Sequence, residues 1–165
     1  MDTMRYIQRG IGDAVREALG AFPVVMLYGA RQTGKTTLLR NELDSSYGYV
    51  SLEQAAVREL AMRDPGGFLD VYRPPVVFDE CQFAPELPRA IKERVDEDRS
   101  RMGQYVLTGS QNLLMMEQVS ESLAGRTAVL QLMPLTRREV EGDAFRALPW
   151  EMSSEVREPR VEGYL

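Results

Sequence analysis

The sequence predicts an α/β protein of three layers, a parallel sheet covered by helices on both faces, and three observations carry that prediction. Short apolar runs alternate with stretches of helical period along most of the chain. Two of those runs, 23–28 and 75–79, read as strands buried on both faces, as in a sheet with no wet side. The first leads directly into a glycine-rich turn followed by a helix-forming segment.

The elements follow in order. Residues 4–19 place Ile7, Ile11, Val15, Ala18 and Leu19 on one helical face, with Gly20 as the stop. Strand 23–28 comes next, and a helix is expected to start inside the turn at about Gly34 and run past Leu38 and Leu39. A strand over 47–52 precedes a helix over 54–63, which Asp64-Pro65-Gly66-Gly67 should close. Pro74-Pro75 sets the approach to strand 75–79. Helix 86–97 carries Leu87, Ala90, Ile91, Arg94 and Val95 at three- and four-residue spacing. Strand 104–107, helix 112–123 and strand 127–132 complete the alternation. Right-handed crossovers then give an open α/β/α sandwich. After Val140 the pattern fades, so 1–140 reads as one domain and 141–165 as a tail or the opening of a further domain.

Composition limits the chemistry. A chain of 165 residues, 44% hydrophobic and 27% charged, is one soluble globular domain in size and balance. No apolar run approaches the roughly 20 residues of a membrane span, and none follows the N-terminus, so a secretory signal is not expected. The single cysteine, Cys81, cannot form an internal disulfide and suits a reducing cytoplasm. The absence of histidine excludes a histidine–metal site and a Ser-His-Asp triad. A formal charge of −5 disfavours non-specific binding to nucleic acid. Lys35 and Lys92 are the only lysines, which makes the one in the glycine-rich turn conspicuous.

Four segments carry candidate chemistry. Gly29-Ala30-Arg31-Gln32-Thr33-Gly34-Lys35-Thr36 fits G-x-x-x-x-G-K-[ST], the phosphate-binding loop. Glycine permits the turn that converges backbone N–H groups on phosphate oxygens, and the following helix adds its positive end. Lys35 supplies a full charge to the β- and γ-phosphates and the Thr36 hydroxyl a magnesium ligand. These residues, with Thr37, imply ATP and Mg²⁺ as ligands. Val76-Val77-Phe78-Asp79-Glu80 ends a buried strand in two carboxylates, Asp79 for magnesium and Glu80 as general base toward the attacking water. Thr108, Ser110 and Gln111 follow another apolar run and are neutral groups able to orient water, the choice among them left open. Arg126, in Ser122-Leu123-Ala124-Gly125-Arg126, is a candidate to stabilise charge in the transition state, in cis or from a neighbour.

Together and in this order, the four segments resemble the AAA-type ATPase domain of a widespread group of uncharacterised bacterial and archaeal proteins. Asp79-Glu80-Cys81-Gln82, Leu107-Thr108-Gly109-Ser110-Gln111-Asn112, Leu132-Met133-Pro134-Leu135-Thr136 and Glu139 join the loop in that match, which covers about 140 residues. The resemblance implies a five-stranded sheet in the order 5-1-4-3-2. It also implies an arginine-finger role for Arg126 across a subunit interface, hence a homo-oligomer. Relatives carry an aspartate where this chain has Glu53, which receives no role. They also continue into a C-terminal domain described as nuclease-like, so this chain is expected to lack that effector part.

The expectation is therefore an ATPase that drives or gates a partner domain. A nucleotide switch with little hydrolysis and a small-molecule kinase are the alternatives. No N-K-x-D motif supports a GTPase, and the acidic pair Asp79-Glu80 argues against the kinase.

Overall fold

The computed structural model describes residues 6–110, 119 and 121–142. The sheet contains β1 (Val24–Tyr28), β2 (Gly48–Ser51), β3 (Val76–Asp79), β4 (Tyr105–Gly109) and β5 (Thr127–Gln131). Its order is β2-β3-β4-β1-β5, the 5-1-4-3-2 arrangement read from the other edge, and every pairing is parallel. Val24 pairs with Tyr105 on one side and Thr127 on the other, and Tyr28 with Gly109 and Gln131, so the strand ends align.

Successive residues of a strand point to opposite faces, and the core divides accordingly. Val24, Met26, Val76, Phe78, Tyr105 and Leu107 pack with Ala61 of α3 (Ala55–Arg63), Phe68 of α4 (Pro65–Val71) and Ile91 of α5 (Leu87–Glu97). Leu27, Val77 and Val106 pack on the other face with Val15 of α1 (Gly12–Ala21) and Leu38 and Leu39 of α2 (Lys35–Glu42). Both faces are therefore covered, and the three-layer sandwich stands. No helix among the described residues is long and apolar enough to cross a membrane.

Three elements depart from expectation. The first helix begins at Gly12, not at residue 4, because the chain around Arg9 is committed elsewhere: Gly10 N–H donates to Glu139 Oε1 at 2.9 Å. Asp64-Pro65-Gly66-Gly67 closes α3 at Arg63 as expected, but it also starts a helix that was not expected, α4. Asp64 accepts from Gly67 N–H at 2.9 Å and Pro65 takes the first helical turn, where a missing N–H costs nothing. A short helix α6 (Arg137–Val140) follows β5, opened by a capping box of Thr136 and Glu139. The expected helix over 112–123 lies largely outside the described residues, although Val119 and Leu123 belong to the core beside β4.

Candidate functional site

In a parallel sheet every strand delivers its C-terminal end to one edge, and ligands collect in the crevice there. That edge here brings together Gly29 after β1, Glu53 after β2, Asp79 and Glu80 at β3, and Ser110 after β4. Gln111 lies outside the described residues.

The loop from Gly29 to Gly34 wraps toward the start of α2. Gly29 is obligatory by space, since a Cβ there would sit 2.3 Å from the Leu132 carbonyl oxygen. Gly34 takes φ 91°, a left-handed conformation that glycine adopts without penalty. No side chain caps α2, so the unpaired N–H groups of its first turn face the crevice. Lys35 is 6% exposed, and its Nζ donates to the Gly29 and Ala30 carbonyls at 3.0 Å each. Thr33 Oγ1 donates to Ala30 O at 3.0 Å, which fixes the turn from inside. Arg31, Gln32, Gly34, Lys35, Thr36, Thr37, Glu53 and Glu80 line one cavity of about 440 Å³.

Asp79 is held from both sides. Thr108 Oγ1 donates to Asp79 Oδ1, and it also accepts from the Glu80 N–H at 3.4 Å. Thr36 Oγ1 lies 3.4 Å from Asp79 Oδ2, and the Tyr49 hydroxyl donates to the same oxygen at 2.5 Å. Thr36 and Asp79 form the hard-oxygen donor pair that suits magnesium arriving on a nucleotide, so the residues fit that ion. Burial raises the Tyr49 pKa, and the bond to Asp79 adds to it, so the phenol stays a donor. Glu80 sits at φ 60°, ψ 48°, a left-handed conformation that costs a non-glycine residue roughly 1–3 kcal/mol. Glu80 borders the cavity that the loop lines, and Gln82 Nε2 donates to Glu80 Oε2. Cys81 is buried and donates to Phe78 O; burial pushes its thiol pKa up, which leaves it unreactive.

Arg126 lies away from this crevice. It precedes β5, so it sits at the N-terminal edge of the sheet, about 16 Å along the strand from the edge that carries the loop. There its Nε donates to Asp96 Oδ1 at 2.8 Å, its Nη2 to Asp96 Oδ2 at 3.2 Å and its Nη1 to Ala124 O at 2.7 Å. The Arg126 hydrogen bond, then that of Lys92, holds the Asp96 carboxyl well below the usual range. A cis role at the phosphates of the same chain is thereby removed.

Two arrangements were not foreseen from the sequence. One is Tyr49, whose hydroxyl touches both candidate magnesium ligands. The other is a buried ion pair beneath the loop: Arg9 Nε donates to Glu139 Oε1 at 3.1 Å, with the two side chains 6% and 9% exposed. Arg9 Nη1 also donates to Thr33 O at 2.8 Å and its Nη2 to Met133 O at 2.6 Å, so one guanidinium links the phosphate loop to the chain after β5. Glu139 Oε2 accepts from Thr136 N–H at 2.7 Å. Burial works to raise the Glu139 pKa, but its bonds from Thr136, Gly10 and Arg9 together bring it down to about 2.

Known proteins resemble this chain over most of its length. Uncharacterised proteins of Mycobacterium bovis and Mycobacterium tuberculosis are each 34% identical over 138 residues, which is 83% of this chain. The chain spans only 31% of the length of those relatives. A Walker-type ATPase of Pyrococcus abyssi superposes with a TM-score of 0.56 at 18% identity, over 81% of this chain and 55% of that one, a likeness of fold. A family model described as AAA domain matches residues 21–141, from the strand that feeds the loop to the helix that holds Glu139, and the chain belongs to that family.

Proposed function

We propose that this chain binds ATP with magnesium and hydrolyses it, as an AAA-type ATPase core that drives or gates a partner domain. The observation that carries the reading is a single cavity in which the uncapped start of α2, Lys35, Thr36 and Glu80 face one another. Membership of the AAA domain family and the fold of a Walker-type ATPase support nucleotide use of this kind.

Each residue has a task set by its position. Lys35, whose Nζ donates to two loop carbonyls, exchanges them for β- and γ-phosphate oxygens. Backbone N–H groups of residues 33–37 bind the phosphates, while Arg31 and Gln32 border the cavity. Thr36 and Asp79 would hold magnesium, which supplies charge neutralisation across the phosphates. Glu80 takes a proton from the attacking water, and Gln82 keeps its carboxylate from turning away. Ser110 follows β4 directly and would orient that water.

Glu80→Gln keeps ATP binding and lowers hydrolysis by about 10²–10⁴-fold, read as phosphate release at saturating ATP. Turnover retained at the original rate would assign water activation to another group.

A switch with slow turnover is the second reading, favoured by the engagement of Arg126 with Asp96 at the far edge. An arginine finger supplied in trans is worth about 10³–10⁵ in rate. If a neighbour presents Arg126, hydrolysis per subunit rises with protein concentration and Arg126→Ala removes the rise. A rate independent of concentration in the original protein would leave Arg126 a structural partner of Asp96.

A further inference from the structure

Tyr49 reaches from β2 into the cleft between α2 and β3. Its hydroxyl stands 2.5 Å from Asp79 Oδ2 and 3.2 Å from Thr36 Oγ1. The direct separation of Thr36 Oγ1 and Asp79 Oδ2 is longer, 3.4 Å. A phenol has one proton to give, and the short contact to a carboxylate identifies its acceptor. Toward Thr36, then, the phenol oxygen can only accept.

That assignment has a consequence for metal binding. A threonine hydroxyl ligates a cation through an oxygen lone pair, so its proton must find an acceptor elsewhere. Two acceptors stand at the long end of hydrogen-bond range, Asp79 Oδ2 at 3.4 Å and the phenol oxygen at 3.2 Å, and the phenol oxygen is the nearer. The Tyr49 ring is itself held, with the Arg40 guanidinium 5.3 Å from its centroid. Thr108 already engages the other carboxylate oxygen of Asp79.

We propose that Tyr49 is a positioning residue for magnesium: it accepts from the Thr36 hydroxyl, donates to Asp79, and so turns the free lone pairs of both toward the phosphate crevice. The inference rests on the ATP–magnesium reading above and adds a residue to it. Nothing in a tyrosine hydroxyl at this place serves the hydrophobic core, since the ring alone would fill the same space.

The test is Tyr49→Phe, which removes one oxygen and keeps the ring. ATP binding is followed by calorimetry in EDTA and across a magnesium titration, with thermal unfolding measured in parallel. The magnesium concentration for half-maximal enhancement of binding rises about tenfold, the worth of a charge-assisted hydrogen bond, while affinity in EDTA stays within about twofold. An unchanged magnesium requirement overturns the proposal. So does an equal loss of affinity with and without magnesium, which marks a general effect on packing. An original protein whose ATP binding ignores magnesium overturns the ATP–magnesium reading and this proposal together. Magnesium dependence in the original protein with none of the shift in the variant overturns only the role of Tyr49.

Discussion

Lys35→Ala removes ATP binding from the range that calorimetry at micromolar protein detects. Lys35 is the sole lysine at the crevice, 6% exposed, and its ammonium already sits between two loop carbonyls. In the proposed complex it would make charge-assisted bonds to two phosphates, each worth about 1.5–3 kcal/mol. Losing both weakens binding by at least about a hundredfold, since 1.4 kcal/mol is about tenfold. The fold should suffer far less. The alanine keeps good helix propensity at the first turn of α2, and Leu38 and Leu39 still anchor that helix. The decisive result is therefore a variant that unfolds near the original temperature yet fails to bind. Original affinity in such a variant would sever the loop from nucleotide binding.

Breaking the Arg9–Glu139 pair produces the largest loss of stability. Removing one member of a buried ion pair costs about 3–5 kcal/mol, because the survivor stays charged and unmatched. Arg9→Met strips partners from Glu139 Oε1, from Thr33 O and from Met133 O at once. Glu139→Gln is milder, since the amide keeps one acceptor oxygen for its donors. Urea unfolding of both variants should rank them in that order, and a shift below about 1 kcal/mol for Arg9→Met would show that the pair is dispensable. Acid gives an independent check. Glu139 in the folded chain titrates at about 2, below the ordinary 4.5. Its contribution is complete above about pH 4.5 and is lost as pH falls toward 2, because the unfolded chain takes up the proton first. Glu139→Gln should flatten that part of the stability–pH curve.

The parts of the site visible in the sequence are those whose spacing is local. Gly29–Thr36 and Asp79-Glu80 are each set by a strand, its last residue and the turn after it, so a one-dimensional pattern contains them. Tyr49 is different: Gly48-Tyr49-Val50-Ser51 reads as any edge strand, and its hydroxyl matters only because β2 lies beside β3. Arg9 and Glu139 are 130 residues apart, and a lone arginine before a helix carries no local mark of burial. Asp64-Pro65 did carry a signal, an N-cap followed by proline, but the two glycines behind it suggested a stop. Arg126 shows the opposite case. The motif around it is recognisable and leaves cis and trans open, whereas its place before a parallel strand, at the edge opposite its own crevice, removes the cis alternative.

The guanidinium under the phosphate loop also bears on where this unit can be cut. The family match starts at residue 21, yet the carbonyl of Thr33 is held by a side chain at position 9 whose counter-ion is at 139. A fragment trimmed to the matched span would keep every motif residue and lose the strut beneath them. Boundaries drawn from similarity and boundaries drawn from mechanics differ here by at least a dozen residues at the front, and it is the second that an expression experiment has to respect.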